Sequence, residues 1–163
     1  MAYSDSFGIG KKVTVMKFDG SAWVMVGSPR FTTGSAYYTS FVIDNGTPYV
    51  AYSDGANSYN ATVMKYDGSS WVVVGNSGFS NGSASYTSLA INNGVPYVAY
   101  QDVANGNKAT VMKYDGSAWV AVGSPGFSVG SAAYTSLAIY NGTPYVVYRD
   151  NTIGDKATVM QFK

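Results

Sequence analysis

The quartet Thr-Val-Met-Lys begins at Thr14, Thr62 and Thr110, and its variant Thr-Val-Met-Gln begins at Thr158, so the chain repeats every 48 residues without drift. Trp23, Trp71 and Trp119 keep the same interval, as do Tyr52, Tyr100 and Tyr148, and Pro48, Pro96 and Pro144. A fixed period of this length confines a chain to architectures in which one supersecondary unit stacks on copies of itself. The repeats run over 14–61, 62–109 and 110–157, with shorter pieces at the termini, and the 163 residues are read as one domain.

Within one period, four short apolar runs alternate with turn signals. In the middle copy the first, A, is Thr87-Ser88-Leu89-Ala90-Ile91. Asn93-Gly94 follows, a dipeptide that accepts the positive φ angles of a tight hairpin. Run B is Pro96-Tyr97-Val98-Ala99-Tyr100, with its proline at the position where a strand tolerates one. After a polar loop, Gln101 to Lys108, comes run C, Ala109 to Tyr114. Asp115-Gly116 turns the chain into run D, Trp119-Val120-Ala121-Val122, and a Gly/Ser-rich connection leads to the next unit.

Composition agrees with strands. Every acidic residue is Asp, so the helix-favouring Glu is missing, while Tyr, Val, Thr and Trp are abundant. A sheet with one wet face alternates apolar and polar residues. Runs B and D are instead apolar at consecutive positions (Tyr97 to Tyr100, Trp71 to Val74), which predicts small sheets covered on both faces by neighbours around an axis. The fold class is therefore all-β, a β-propeller of four-stranded antiparallel blades. A parallel β-helix is the alternative, but its rungs are shorter and lack two tight hairpins per period.

The stretch Asn45-Gly46-Thr47-Pro48-Tyr49-Val50-Ala51-Tyr52-Ser53-Asp54, followed by Ala61-Thr62-Val63-Met64-Lys65-Tyr66-Asp67-Gly68-Ser69-Ser70-Trp71-Val72-Val73-Val74-Gly75, resembles the tandem repeats of bacterial β-propeller proteins. It also resembles the near-symmetric propellers engineered from such repeats. The resemblance covers nearly the whole chain, implies the fold, and brings no catalytic residues with it.

Counted in strand order, the chain holds a scrap of B at Ala2 to Asp5, then C and D, two full sets, and a final A, B and C. The N-terminal C–D hairpin complements the C-terminal A–B hairpin in one composite blade. That gives about three blades per chain, with Ala2 to Asp5 and the last strand, Ala157 to Lys163, as surplus. Since propellers close with roughly 4–8 blades, the ring is expected to close by oligomerisation. A nine-bladed homo-trimer is favoured over a six-bladed homo-dimer, and excision from a longer propeller is the third explanation.

Several residues invite a chemical reading. Asp54, Asp102 and Asp150 open the B–C loops and are the ligand-binding candidates, with loop capping as the competing role. Calcium needs about six to eight oxygen ligands, and no loop has the spacing to supply them, so no metal is expected. Asp19, Asp67 and Asp115 precede Gly, Ser and Trp in an arrangement one residue shorter than an Asp-box, and read as hairpin turns. The Trp and Tyr series could stack on sugars, but their place inside apolar runs argues for packing between blades.

The chain has no His and no Cys, which removes the commonest general base, the commonest transition-metal ligand and thiolate chemistry. No enzyme activity and no cofactor are expected. A net charge of +1 makes neither nucleic acid nor an anionic membrane an evident partner. Residues Met1 to Asp5 lack the basic and apolar regions of a signal peptide, and no apolar run is long enough to span a bilayer. Two functions remain: a self-assembling structural propeller, and a lectin-like module binding glycans in a secreted or cell-surface parent.

Overall fold

The computed structural model describes residues 1–5 and 10–162. It contains fourteen strands in four antiparallel sheets that follow one another along the chain. The first sheet is β1 (Ala2–Asp5), β2 (Lys12–Phe18) and β3 (Trp23–Met25). The second is β4 (Ala36–Asp44), β5 (Thr47–Asp54), β6 (Asn60–Tyr66) and β7 (Trp71–Val73). The third repeats it as β8 (Ala84–Asn92), β9 (Val95–Asp102), β10 (Lys108–Tyr114) and β11 (Trp119–Ala121). The fourth is β12 (Ala132–Tyr140), β13 (Thr143–Asp150) and β14 (Lys156–Gln161). Among the described residues, the helical elements are single 3-10 turns in the B–C loops of the second, third and fourth sheets, so the chain is an all-β succession of propeller blades.

Turn chemistry sets the registers. Asp44 pairs Thr47 across Asn45 (φ 46°) and Gly46 (φ 81°), and both positive angles are what a two-residue turn of the primed type demands. The C–D connection is longer. Asp115 N–H donates to Ala118 O at 3.0 Å, and Asp115 Oδ1 accepts the N–H groups of Ser117 and Ala118, closing a four-residue turn on its own side chain.

Neighbouring sheets meet most closely through β4, β8 and β12, which are therefore the inner strands. The core is divided among the junctions. Val13 and Val15 pack with Val50, Tyr52 and Trp71 between the first two sheets. Val63, Leu89, Val98 and Tyr100 fill the second junction, and Val111, Leu137, Val146 and Tyr148 the third. The B strand of the second sheet is covered on both faces, as its unbroken apolar run requires: β5 is buried from Tyr49 to Asp54, whereas β13, in an end sheet, alternates and exposes Arg149.

One expectation is corrected. The D strands are three residues long and not covered throughout: Val73 is exposed, because the outer rim is where radiating sheets splay apart. The terminal strands are paired within the chain. Within the single chain each end forms a three-stranded sheet of its own, β1 pairing β2 and β14 pairing β13. A strand joined to its neighbour by a short loop closes at less entropic cost than one awaiting a distant segment. The final expected position, Lys163, lies outside the described residues.

Candidate functional site: a ladder of inner tyrosines

The inner strands share an irregularity near their N-terminal ends. The pairing of β4 with β5 shifts between Tyr37 and Ser40, that of β8 with β9 between Ser85 and Ser88, and that of β12 with β13 between Ala133 and Ser136. Each shift is a β-bulge, and the residue that absorbs it is a tyrosine with positive φ: Tyr38 (50°), Tyr86 (53°) and Tyr134 (54°). A bulky side chain rarely occupies this left-handed region, because Cβ crowds the backbone there. Three equivalent tyrosines held in it need strong local support.

Tyr38 and Tyr86 are also held by the adjoining blades. The Thr87 hydroxyl donates to Tyr38 O, and the Thr135 hydroxyl to Tyr86 O. One step further on, Leu89 N–H donates to Ser40 Oγ at 3.0 Å and Leu137 N–H to Ser88 Oγ at 2.9 Å. The Tyr-Thr-Ser triplet thus locks each inner strand to the preceding one and fixes its tyrosine.

The rings form a continuous series. Tyr38 and Tyr86 have centroids 4.8 Å apart, and Tyr86 and Tyr134 4.7 Å, both tilted. Tyr134 is 62% exposed, and its ring carries the Arg149 guanidinium at 5.1 Å. Burial raises the Tyr86 phenol above its usual value, and the flanking phenols Tyr134 and Tyr38 add to the rise.

Beside the ladder, between the second and third sheets, Tyr37, Tyr38, Ser53, Tyr59, Ser83 and Ser85 line an open cleft of about 320 Å³. Tyr37 and Tyr59 are tilted with centroids 5.9 Å apart, and Lys11 Nζ lies 5.2 Å from the Tyr37 centroid. The positions equivalent to Tyr37 and Tyr59 one repeat later are Ser85 and Asn107, so this aromatic wall belongs to one junction only. Exposed ring faces beside hydroxyls and an ammonium suit an uncharged polyhydroxylated ring, and offer no acid–base pair.

The sequence-predicted candidates lie elsewhere. Asp54 is 1% exposed; its Oδ1 accepts Ala56 N–H at 3.0 Å, and its Oδ2 accepts Asn57 Nδ2 at 2.8 Å and the Thr62 hydroxyl at 2.9 Å. Asp102 is held in the same way by Ala104, Asn105 and Thr110. Asp150 takes both the hydroxyl and the N–H of Thr152, which lower its carboxyl below the usual range, the hydroxyl most. These carboxylates cap the 3-10 turns and tie them to strand C. Among the described residues, no three acidic side chains come together as a metal cage.

The tryptophans are joints between blades. Trp71 stacks on Phe31 (4.3 Å, 5°) and donates Nε1–H to Val26 O at 2.9 Å; Trp119 stacks on Phe79 (4.0 Å, 8°) and donates to Val74 O at 2.9 Å. Trp23, in contrast, is 53% exposed. Sequence reasoning passed over Tyr38, Tyr86 and Tyr134, although the Tyr-Thr-Ser triplet recurs on the same 48-residue beat and was the available signal.

No protein-family model and no curated protein sequence matches the chain. Solved structures do. An Aleuria aurantia lectin, as its N224Q mutant in complex with alpha-methyl-L-fucoside, is 18% identical with a TM-score of 0.64, over 99% of this chain and 51% of that one. A Trypanosoma rangeli sialidase in complex with the inhibitor DANA is 13% identical, with a TM-score of 0.61 over 93% of this chain and 26% of its own. An alpha-L-arabinofuranosidase from Lactobacillus brevis is 12% identical, with a TM-score of 0.52 over 94% of this chain and 62% of its own. The chain spans about a quarter of the sialidase and half of the lectin, and at these identities the likeness is one of fold: the blades are those of β-propeller proteins.

Proposed function

We propose that the chain is a non-catalytic binding module that presents its inner tyrosines to the flat, apolar face of a sugar ring. The observation that carries the reading is the set of bulges at Tyr38, Tyr86 and Tyr134. Packing alone does not require three bulky residues at positive φ, while presenting rings side by side does. The 320 Å³ cleft walled by Tyr37 and Tyr59 supplies the shape, and its serine hydroxyls the polar contacts that fix orientation. A lectin of the same fold with fucoside in its crystals supports the reading at the level of architecture. The absence of His, Cys and Glu, together with acidic side chains engaged in turns, speaks for binding without turnover.

The test is a glycan array probed with the parent chain and with Tyr86→Ala. The parent should give a defined set of hits that the variant loses while keeping its circular dichroism spectrum. A blank array, or a variant that binds as the parent does, overturns the reading.

A second reading, assembly of the chain with copies of itself, is favoured by the strand count. Two complete blades flanked by two three-stranded sheets leave an inner strand wanting at one end and an outer strand at the other. The two readings are compatible, since closing the ring would continue the ladder.

A further inference from the structure

We propose that copies of this chain dock head to tail by strand exchange. β13 of one copy takes β2 of the next in place of its own β14, and Trp23 of the incoming copy enters a recess beside Phe127. The proposal rests on the assembly reading above and names the surfaces that carry it.

The internal junctions are the template. A Cβ on Gly27 would lie 2.8 Å from the Tyr66 ring and 3.1 Å from Trp71; a Cβ on Gly75 would lie 2.7 Å from Tyr114 and 3.0 Å from Trp119. Each glycine therefore floors a slot filled by a pair of aromatics, one from strand C and one from strand D. At the third place in the series, Gly123 faces Phe162 at 2.7 Å, the counterpart of Tyr66 and Tyr114, with no tryptophan beside it. An apolar recess of about 180 Å³ lies there, walled by Val111, Val122, Phe127, Val146 and Phe162. Phe127 is the counterpart of Phe31 and Phe79, on which Trp71 and Trp119 stack. The matching plug is on the same chain. Trp23 occupies the D-strand position of the first sheet, carries Phe18 at 5.9 Å as Trp71 carries Tyr66, and is exposed.

The opposite face has a complementary groove. About 850 Å³ lies open beside β2, bounded by Val15, Met16, Trp23, Phe41, Ile43 and Tyr66. In the complete blades the first half of strand B runs along strand C at this level: Tyr49 pairs Lys65, and Val50 pairs Met64. β1 begins at Ala2, opposite Val15, and Met1 exchanges hydrogen bonds with Met16 in the place of Val50, so the chain starts one residue short of the place of Tyr49. The full-length β13, with β12 on its far side, fits the groove.

The terminal strands are stand-ins for the exchanged ones. Ala2-Tyr3-Ser4-Asp5 repeats Ala51-Tyr52-Ser53-Asp54, and it pairs β2 in the register with which β5 pairs β6. β14 likewise occupies on β13 the register that β6 has on β5. Its Lys156, Thr158, Val159, Met160 and Phe162 are the residue types of Lys12, Thr14, Val15, Met16 and Phe18. The incoming ladder keeps the register of the two it displaces, but each junction gives up two terminal ladders for one, so association must be carried by side-chain burial. The gain is burial of the exposed apolar side chains Trp23, Phe18 and Tyr134 on the two end sheets. The inner strands continue the pattern, because Thr39 of the incoming copy stands to Tyr134 O as Thr87 stands to Tyr38 O. Counted this way each copy contributes three blades, so rings come in multiples of three.

The chain contains no cysteine, which gives a clean background for a cross-link. In the exchanged junction Arg149 stands opposite Val13 of the next copy, as Ser53 stands opposite Ala61; within one copy their partners are Ala157 and Ser4. The V13C/R149C double variant should give covalent oligomers on non-reducing gels that end at one closed size and collapse on reduction, and V13C alone should not. Light scattering that shows self-association without that cross-link would mean the copies meet another way, and overturns the proposal. So does a parent chain that stays monomeric at tens of micromolar. Trp23→Ala, at an exposed site, keeps the monomer's circular dichroism and weakens association at least about 30-fold, the loss expected at an interface hot spot. An unchanged oligomer mass in that variant also refutes the docking. A blank glycan array leaves these outcomes untouched, so the two readings fail separately.

Discussion

Trp119 donates its indole N–H to the main-chain oxygen of Val74 at 2.9 Å, pinning the outermost strand of one sheet to the connector that leaves the sheet before it. Trp71 makes the same bond to Val26, also 45 residues earlier. Trp71→Ala should cost about 3–5 kcal/mol, as deletion of a large buried aromatic does. Trp119→Phe, which keeps most of the stack and removes the donor, should cost about 1 kcal/mol. Denaturant unfolding midpoints compare them directly. A Trp71→Ala loss under about 1 kcal/mol would show that the joint does not hold the blades.

The buried carboxylate of Asp102 accepts three hydrogen bonds, from Ala104 N–H, Asn105 Nδ2 and the Thr110 hydroxyl. Asp102→Ala leaves three donors without a partner in a closed loop, and should destabilise by about 3 kcal/mol. Asp115→Ala, in an exposed turn, should cost visibly less. Equal losses at the two sites would contradict the capping role of the B–C loop aspartates.

Tyr52 and Tyr100 lie buried with their hydroxyls on Met64 Sδ (3.4 Å) and Met112 Sδ (3.3 Å). Burial first, and the nearby Asp54 and Asp102 second, raise both phenols far above the usual 10.0. A phenol harder to ionise in the folded state contributes stability that is fully present below pH 10 and is lost as pH rises beyond it. Phenolate absorbance should therefore appear late for these two rings and together with unfolding. Ionisation of all fifteen tyrosines near pH 10 in a folded chain would refute this.

At the acid end, Asp67 is held down to about 2, first by the Ser70 N–H and then by the N–H and hydroxyl of Ser69. A depressed carboxyl adds stability above its unfolded value near 3.8, and that contribution fades as pH falls through about 2. A carboxyl carbon titration by NMR should place the Asp67 midpoint well below that of a free aspartate. A midpoint near 4 would mean that the turn is open in solution.

The blades were legible in the sequence because their signals are local. Asn45-Gly46 and Asn93-Gly94 fix the A–B hairpins, and the unbroken apolar run through Tyr52 announces a strand covered on both sides. The bulges were not legible. Nothing in Tyr38 or Tyr86 predicts positive φ, because the conformation belongs to a shift in the pairing of each inner strand with its neighbour, which the residue type does not announce. The strand that β13 takes as partner within the chain was not legible for a related reason. Its sequence suits two partners equally, and proximity along the chain decides between them. Asp54 was a sensible ligand candidate by residue type, but which atoms consume a carboxylate's lone pairs is a three-dimensional question.

The hydrogen bonds that join the blades recur at a few fixed spans, and Ala84 reaches back 25 residues to Tyr59 as Ala132 does to Asn107. Trp119 reaches back 45 residues, and Thr87 and Leu89 reach back 49. A chain lengthened by further repeats would add such contacts without adding longer ones, so the loop that must close to form any junction stays constant. Folding speed is governed by that span more than by total length. Structure can then nucleate at whichever junction forms first and spread outwards in both directions, as in a one-dimensional zipper.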